Sequence, residues 1–215
     1  MKYKKQVSKS HYDFDEYLNQ ERWISYFHQI YEVVKIAKKL KKKSLKILEI
    51  GIGDKTVSSI LETQGMRVTT MDIDSQLNPD MVGSLPNIPV KAKQKFDCII
   101  CSQVLEHVAY KDSEKTLSNM SGIAKYAVIS VPHKSITLSL TMKLWFFKTF
   151  RIFVFMKSPK KFDSSGQHYW ELGAKSFSVK RFRKSIRKTG FKIIGEHRVP
   201  EFPYHHFFVL KSNLV

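Results

Sequence analysis

The chain has 215 residues, of which 42% are hydrophobic and 13% aromatic; this is enough for a sizeable core and excludes wholesale disorder. Its 37 Lys and Arg residues outnumber 19 acidic residues, so the formal net charge is +18. That balance predicts attraction to something anionic, which could be nucleic acid, an acidic membrane surface or a phosphorylated substrate.

The N-terminal part of the chain predicts a polar tail followed by a long helix. Residues 1–10 are basic and polar, and we expect them to be frayed. They lack the apolar core of a signal peptide, which favours a cytoplasmic protein. Between Glu21 and Leu40 apolar residues recur at helical spacing, beginning with Trp23 and Phe27. Residues 1–43 are therefore predicted to be a helical N-terminal extension within one domain spanning 1–215.

A strand that ends in a glycine turn organises the predicted sheet. Residues 45–54 read LKILEIGIGD, an apolar run that passes through Glu49 and ends in Gly51 and Gly53. Glycine lets the backbone turn sharply and approach a ligand closely, and a helix predicted over 56–64 would direct free N–H groups towards that ligand. Taken alone, the pattern also fits an ordinary strand-to-helix turn.

Strands and helices alternate through the rest of the chain. Strands are predicted over 66–73, 96–102, 126–131, 191–198 and 205–211, with helices over 111–124 and 179–189 and a turn-rich segment over 75–89. Such alternation predicts parallel βαβ units in a doubly wound α/β sheet, which the last two strands can close as an antiparallel hairpin. Cys98 and Cys101 lie in one apolar strand on opposite faces, so we expect buried free thiols.

Acidic residues at strand ends indicate the kind of ligand. Open α/β sheets bind ligands at the carboxyl ends of their strands. Asp72 follows the glycines by about twenty positions at the end of the next strand, which suits hydrogen bonding to ribose hydroxyls. Thr56 stands where a G-x-G-x-x-G pyrophosphate loop would have its third glycine. The pattern therefore favours a nucleoside-containing ligand without a phosphate.

The segments LEIGIGD, MDID, FDCIICSQVLEHV and AKYAVISVPH together resemble the class I S-adenosylmethionine-dependent methyltransferases, in particular the small-molecule, type 11-like group. The resemblance covers roughly residues 45–133. It implies a Rossmann-like, mostly parallel seven-stranded sheet with an antiparallel C-terminal hairpin, and S-adenosylmethionine as cofactor. Two positions depart from the family pattern: Lys55 replaces a frequent third glycine, and Ser84 replaces a common acidic residue.

The resemblance also implies which residues contact the cofactor. Those around its methionine and ribose parts are Glu49, Gly51, Gly53 and Asp72, with Asp74 as an alternative ribose partner. Those around the adenine are Ile73, Gly83, Ser84 and Leu85, and those flanking the sulfonium are Ser102 and Gln103.

Histidines are the candidate catalytic bases. A sulfonium methyl is already activated, so a base is needed only if the acceptor's proton must leave. His107, His133 and His168 are the candidates, and each also fits a structural or packing role. No metal is expected, because the adjacent residues His205 and His206 face opposite sides of a strand and have no ligand-spaced neighbour.

Residues 134–171 form an aromatic and basic insertion, which we interpret as a lid. Its centre, MKLWFFKTFRIFVFMK, is interpreted as a helix with Lys143, Lys148 and Arg151 within an arc of about 140° at about 100° per residue. The charges are too frequent for a transmembrane span. A helix on a membrane surface, a hydrophobic lid over the acceptor, and a helix docked on the protein's own core all fit. From residue 143 to residue 192, fourteen Lys or Arg residues stand against two acidic ones.

Three functions remain open at this level. The leading hypothesis is methyl transfer to a small or lipid-linked, anionic acceptor, at the inner face of the membrane if the protein is peripheral. RNA methylation is the second and is motivated by the charge, although no N-P-P-Y motif or cysteine nucleophile follows FDCIIC. A non-catalytic scaffold is the third, motivated by Lys55 and Ser84.

Overall fold

The computed structural model describes residues 3–12, 19–90, 95–143, 145–146, 149–157 and 167–215. Its helices are α1 (Gln20–Leu40), α2 (Thr56–Thr63), α3 (Tyr110–Ile123) and α4 (Val179–Lys188). Its strands are β1 (Lys46–Ile50), β2 (Arg67–Asp72), β3 (Met81–Val82), β4 (Phe96–Ser102), β5 (Ala124–Pro132), β6 (Ser135–Met142), β7 (Phe150–Lys157), β8 (Phe191–Arg198) and β9 (His205–Ser212). Short 3-10 turns cover Lys9–Tyr12, Ser75–Leu77 and Leu105–His107.

Seven strands form one twisted sheet in the order β3-β2-β1-β4-β5-β9-β8. The first five of these pair in parallel, whereas β9 runs antiparallel to both β5 and β8. The predicted fold class is thus confirmed, including the antiparallel C-terminal hairpin. Because β1 pairs with β2 on one side and β4 on the other, the strand order reverses there, and a ligand crevice is expected at the carboxyl ends of these strands.

The central strands are buried on both faces, as parallel sheets covered by helices are. Leu48 and Ile50 of β1 belong to one hydrophobic cluster, and Leu45 and Ile47 belong to the cluster on the opposite face. All four are at most 2% exposed. Alternate residues of β1 therefore contribute to the hydrophobic clusters on the two faces of the sheet. Packing on both faces fixes the strand ends that border the crevice.

Helix α1 forms where periodicity predicts it, but its buried face differs from the one the aromatic residues suggest. Asn19 caps the helix, its side-chain oxygen accepting a hydrogen bond from the backbone N–H of Arg22 at 2.8 Å. Val33 and Ile36 pack into the core, whereas Trp23 and Phe27 are 50% and 57% exposed. Helical spacing predicted the element correctly and did not decide which of two apolar stripes faces inward.

The expectation of a frayed N-terminal tail is wrong for the described residues 3–12. The Tyr3 side chain is buried, donates a short hydrogen bond to Asp112 and accepts one from the backbone N–H of Ala109 at 3.0 Å. Lys5 Nζ lies 3.1 Å from an Asp74 carboxylate oxygen. This N-terminal segment is therefore fixed against the carboxyl edge of the sheet by an aromatic anchor and an ion pair.

The helix predicted within 143–156 is also wrong, because the insertion forms an antiparallel β-hairpin. Strands β6 and β7 pair from Ser135 with Lys157 to Met142 with Phe150, as a separate two-stranded sheet. The segment SITLSLTM alternates polar and apolar residues strictly, which is the period of a strand. Arg151 lies in β7 and Lys143 follows β6, so these two do not share a helical face as predicted; Lys148 lies outside the described residues.

Candidate active site

A cleft of about 340 Å³ opens at the carboxyl edge where β1, β2 and β4 end. The N-terminal segment contributes to its walls, as do Gln167, His168, Phe202, Tyr204 and His205. The structure brings together there every position that the resemblance assigns to the cofactor. These residues are Glu49, Gly51, Gly53, Asp72, Ile73, Gly83, Ser84, Leu85, Ser102 and Gln103.

The turn after β1 needs glycine for two separate reasons. Gly51 has φ +79°, and a Cβ at this position would lie 2.3 Å from a methyl carbon of Val104. Gly53 also has positive φ, at 50°. Lys55 adopts the left-handed conformation itself, with φ 63°, and its Nζ donates to the carbonyl oxygen of Asn78 at 2.9 Å. The missing third glycine therefore leaves the loop conformation in place.

Asp72 holds two loops in position at the end of β2. One carboxylate oxygen accepts a hydrogen bond from the backbone N–H of Ile52, and the other accepts one from the backbone N–H of Asp74, both at 2.9 Å. Each oxygen retains a further lone pair, and Asp72 lines the cleft, so ribose hydroxyls can donate to it. Asp74 is more fully occupied, because it caps Gln76 N–H at 3.0 Å and pairs with Lys5.

Two buried polar atoms at the cleft fit a polar, cationic ligand. Within the described part of the chain, Glu49 Oε2 and Ser102 Oγ are buried and have no hydrogen-bond partner. Burial raises the pKa of Glu49 to about 8. Unpaired groups of this kind cost free energy unless a ligand satisfies them. An amino group, a sulfonium and ribose hydroxyls are the complementary chemistry, so the residues present fit S-adenosylmethionine.

A second set of polar residues lines the cleft after the end of β4, and these residues define what we call its acceptor end. His107 and His168 both line it, with ring centroids 4.9 Å apart, beside the fully buried Glu106. Burial and the neighbouring His168 lower the pKa of His107 to about 4, and burial raises that of Glu106 to about 8. His168 Nδ1 lies 2.8 Å from Glu171 Oε1, to which Tyr204 donates at 2.7 Å.

His133 lies elsewhere and does not line the cleft. Its Nδ1 is 2.9 Å from His206 Nδ1, with the rings stacked at 5.1 Å, and His206 Nε2 contacts Glu196 at 2.9 Å. Burial lowers the pKa of His133 to about 3. The structure therefore groups two of the three candidate bases and separates the third.

Sequence reasoning missed several residues of the cleft. It did not select Glu106, although the residue belongs to the LEH motif, and it assigned no role to Tyr3, Lys5 or Tyr204. The sequence did offer a reason to select Glu106, because a carboxylate directly before His107 and shortly after a strand end can take part in binding or proton transfer. The others come from distant parts of the chain and reach the cleft only through the fold.

The sheet order, the glycine turn and the acidic residue at the end of β2 define a Rossmann-like fold with a crevice suited to a nucleoside-containing ligand. The family model described as a methyltransferase domain matches residues 17–195, and the chain belongs to this family. It is an S-adenosylmethionine-dependent methyltransferase. The scaffold hypothesis is therefore set aside. No curated protein sequence matches the chain significantly.

Solved structures share the fold at low sequence identity. A Pyrococcus horikoshii protein has a TM-score of 0.61 and 15% identity over 97% of this chain and 100% of its own. Magnesium protoporphyrin IX methyltransferase from Synechocystis, with bound S-adenosylmethionine, has a TM-score of 0.60 and 15% identity over 91% and 85% of the two chains. The 1,6-didemethyltoxoflavin N1-methyltransferase of Burkholderia thailandensis has a TM-score of 0.57 and 14% identity over 94% and 84%.

Proposed function

We propose that this enzyme methylates a small, lipid-linked acceptor at an anionic membrane surface on the cytoplasmic side. The observation that carries the proposal is the apolar face of the β6–β7 hairpin. In the register of this hairpin, alternate residues of the two strands pair across one face, and each is 43 to 65% exposed. They are Ile136, Leu138, Leu140 and Met142 of β6 and Phe150, Ile152, Val154 and Met156 of β7.

The tip of the hairpin extends this apolar face. Trp145 and Phe146 are 93% and 89% exposed, and the exposed Lys143 precedes them. Contiguous exposed apolar surface of this kind marks an interaction site. Tryptophan is enriched at the headgroup level of bilayers, and lysine next to it favours anionic lipids. None of the helices in the described part of the chain has the length and apolarity needed to cross a bilayer.

The base of the hairpin is joined to the segment that reaches the cleft, because the backbone N–H of Lys134 donates to the carbonyl oxygen of Leu172 at 2.8 Å. The hairpin starts directly after β5, and the chain returns to the body at Gln167 and His168, which line the cleft. Arg198 fixes the base of the hairpin through two contacts. Its Nη2 donates to Ser135 Oγ at 2.6 Å, and its guanidinium carbon lies over the Phe155 ring, 4.1 Å from the ring centroid. A membrane-bound hairpin would thus bring the acceptor end of the cleft close to the lipid headgroups.

Different residues of the chain then have different roles in methyl transfer. Bound S-adenosylmethionine supplies a methyl group already activated by the sulfonium. Gly51, Gly53 and Asp72 position the cofactor, and alignment of the acceptor with its methyl supplies much of the rate. Gln167 and His168 line the cleft, and we propose that the β6–β7 hairpin, which is joined to their segment, covers the acceptor as the predicted lid. His107 or His168 can accept the acceptor's proton where one must leave.

Vesicle flotation tests the membrane part of this proposal. We expect the protein to float with phosphatidylglycerol vesicles and much less with phosphatidylcholine vesicles. Replacing Trp145 and Phe146 together with serine should weaken binding on the order of 100-fold, since about 3 kcal/mol of aromatic burial is lost. The matched control is the double serine variant of Trp23 and Phe27, which are also exposed aromatic residues, on α1.

Three results would contradict the proposal. They are no flotation with either vesicle, equal flotation of the tip variant and the wild type, and equal losses in the tip and α1 variants.

RNA methylation, the alternative motivated by the charge, predicts instead that transfer or ribosomal RNA binds and that this binding weakens only mildly between low and moderate salt. Purely electrostatic binding would weaken steeply.

A further inference from the structure

Glu106, His107 and His168 place three possible metal ligands at the acceptor end of the cleft. One ligand atom from each residue lies within 4.8 Å of the other two. We propose that this cluster binds a divalent transition-metal ion of the zinc type, with an open coordination position towards the cleft. Sequence reasoning predicted no metal, because it considered only neighbouring residues and could not foresee that His168 packs beside the LEH motif.

The state of Glu106 is the first argument. The residue is 0% exposed, and neither of its carboxylate oxygens has a hydrogen-bond partner within the described residues. Its backbone carbonyl accepts from Tyr169 N–H at 2.8 Å, so the segment bearing His168 is fixed next to it. A buried carboxyl with two unsatisfied oxygens is costly, and coordination to a cation beside two imidazoles removes that cost.

The orientation of the two histidines is the second argument. His107 Nδ1 lies 3.2 Å from the backbone carbonyl of Gln167, and His168 Nδ1 lies 2.8 Å from Glu171 Oε1. Both partners are acceptors, so each Nδ1 carries the proton, and Nε2 of His168 keeps a lone pair that can bind a metal. The backbone of Gln103 also hydrogen-bonds the His107 ring, so metal binding there replaces one of its two backbone hydrogen bonds. Glu171 is in turn held by the hydroxyl of Tyr204. A histidine whose other nitrogen donates to a carboxylate or carbonyl is the usual arrangement around protein-bound metals.

The ligand set favours one class of ion. Two imidazoles with one carboxylate suit zinc, cobalt and related transition metals, whereas magnesium and calcium prefer oxygen ligands. Three protein ligands are typical of catalytic zinc sites, whose fourth position is taken by water or substrate. The cluster lines the same cleft as Ser102 and Gln103, where the resemblance places the sulfonium.

A metal at this position would bind an acceptor hydroxyl and lower its pKa. Because both histidines would then be metal ligands, the hydroxyl proton would pass to solvent and not to either of them. The acceptor oxygen would form the new bond to the methyl carbon, and the carbon–sulfur bond would break with its electron pair left on the sulfur of S-adenosylhomocysteine. This role rests on the proposed methyl transfer to an oxygen of a small acceptor, whereas metal binding itself does not.

Direct metal titration tests the site without methyl donor, acceptor or vesicles. A negative result would therefore overturn the metal site and leave the proposed methyl transfer and membrane binding untouched. Chelator-treated full-length protein is titrated with Zn²⁺ by calorimetry and with Co²⁺ by absorption spectroscopy. We expect one ion per chain, with d–d bands of a low-coordinate Co²⁺ site. Glu106→Gln and His168→Gln should each weaken Zn²⁺ binding by more than about 100-fold, and Glu171→Gln, which loses a positioning carboxylate, by about 10-fold to 100-fold.

His28→Gln is the matched control, because His28 pairs with His197 at 3.1 Å and does not line the cleft. This variant should bind Zn²⁺ with unchanged affinity, and circular dichroism should show that every variant is folded. The proposal is overturned if folded wild-type protein binds neither ion. It is equally overturned if Glu106→Gln and His168→Gln bind as the wild type does, or if His28→Gln loses as much affinity as they do.

Discussion

The turn after β1 allows a prediction with an internal control, because Gly51 and Gly65 share a backbone conformation and differ in their surroundings. Both have φ +79°, so alanine at either position should cost about 1–2 kcal/mol of conformational strain. At Gly51 the new Cβ would also lie 2.3 Å from Val104 Cγ2, whereas at Gly65 nothing lies within 4 Å. The rigid, β-branched Val104 side chain yields poorly, so overpacking adds about 1–3 kcal/mol.

Thermal or denaturant unfolding of the two variants measures this difference. Gly65→Ala should lose only the strain component and bind S-adenosylhomocysteine normally. Gly51→Ala should lose about 2–5 kcal/mol and, because Val104 lines the cleft, bind S-adenosylhomocysteine at least about tenfold more weakly. Adding Val104→Ala to Gly51→Ala should restore part of both losses. Equal effects of the two glycine variants on stability and affinity would mean that Val104 does not restrict the turn.

Glu49, Tyr3 and Lys55 allow further predictions. Burial raises the pKa of Glu49 to about 8, so below that pH the binding of a cationic cofactor should release a proton from Glu49, and the affinity should increase as pH rises towards 8. Calorimetry in buffers of different ionisation enthalpy should show this proton release, and the Glu49→Gln variant should lack it. The same shift makes the free protein lose stability as pH rises from 4.5 through 8, a slope that Glu49→Gln should flatten in unfolding experiments. Tyr3→Phe should cost about 1–2 kcal/mol in denaturant unfolding, since it removes the hydrogen bonds to Asp112 and Ala109; an unchanged midpoint would mean that the N-terminal segment is not anchored there. Lys55→Gly should leave stability unchanged or raise it by up to about 1 kcal/mol, because relief of left-handed strain outweighs the lost exposed hydrogen bond to Asn78; a clear loss of stability would contradict this.

The sheet was predictable because the spacing of apolar residues and the polar residues that bound each strand are visible in short stretches of the sequence. Strand β4 begins at Phe96 and ends at Ser102 as predicted, since an apolar run bounded by polar residues fixes both ends. The β6–β7 hairpin was missed because its aromatic density was read with a helical period, although SITLSLTM alternates with the period of a strand.

The two ends of the cleft differ in how far sequence could define them. The cofactor end follows from short-range spacing between Gly51 and Asp72. The acceptor end depends on contacts between distant segments, namely Tyr3 with Asp112 and Glu106 with the segment carrying His168. Nothing in local spacing encodes these contacts, because the tertiary fold brings the segments together.

Calorimetric titration with S-adenosylhomocysteine shows whether the cleft beside β1 and β2 is the cofactor site. Wild-type protein should bind one equivalent. Asp72→Asn should bind at least about tenfold more weakly, because it loses the charge that accepts both loop N–H groups and the ribose hydroxyls. Asp74→Asn should retain most of the affinity, since Asp74 is engaged by Gln76 and Lys5. Wild-type binding that survives Asp72→Asn unchanged, or no binding to folded wild-type protein, would contradict the account.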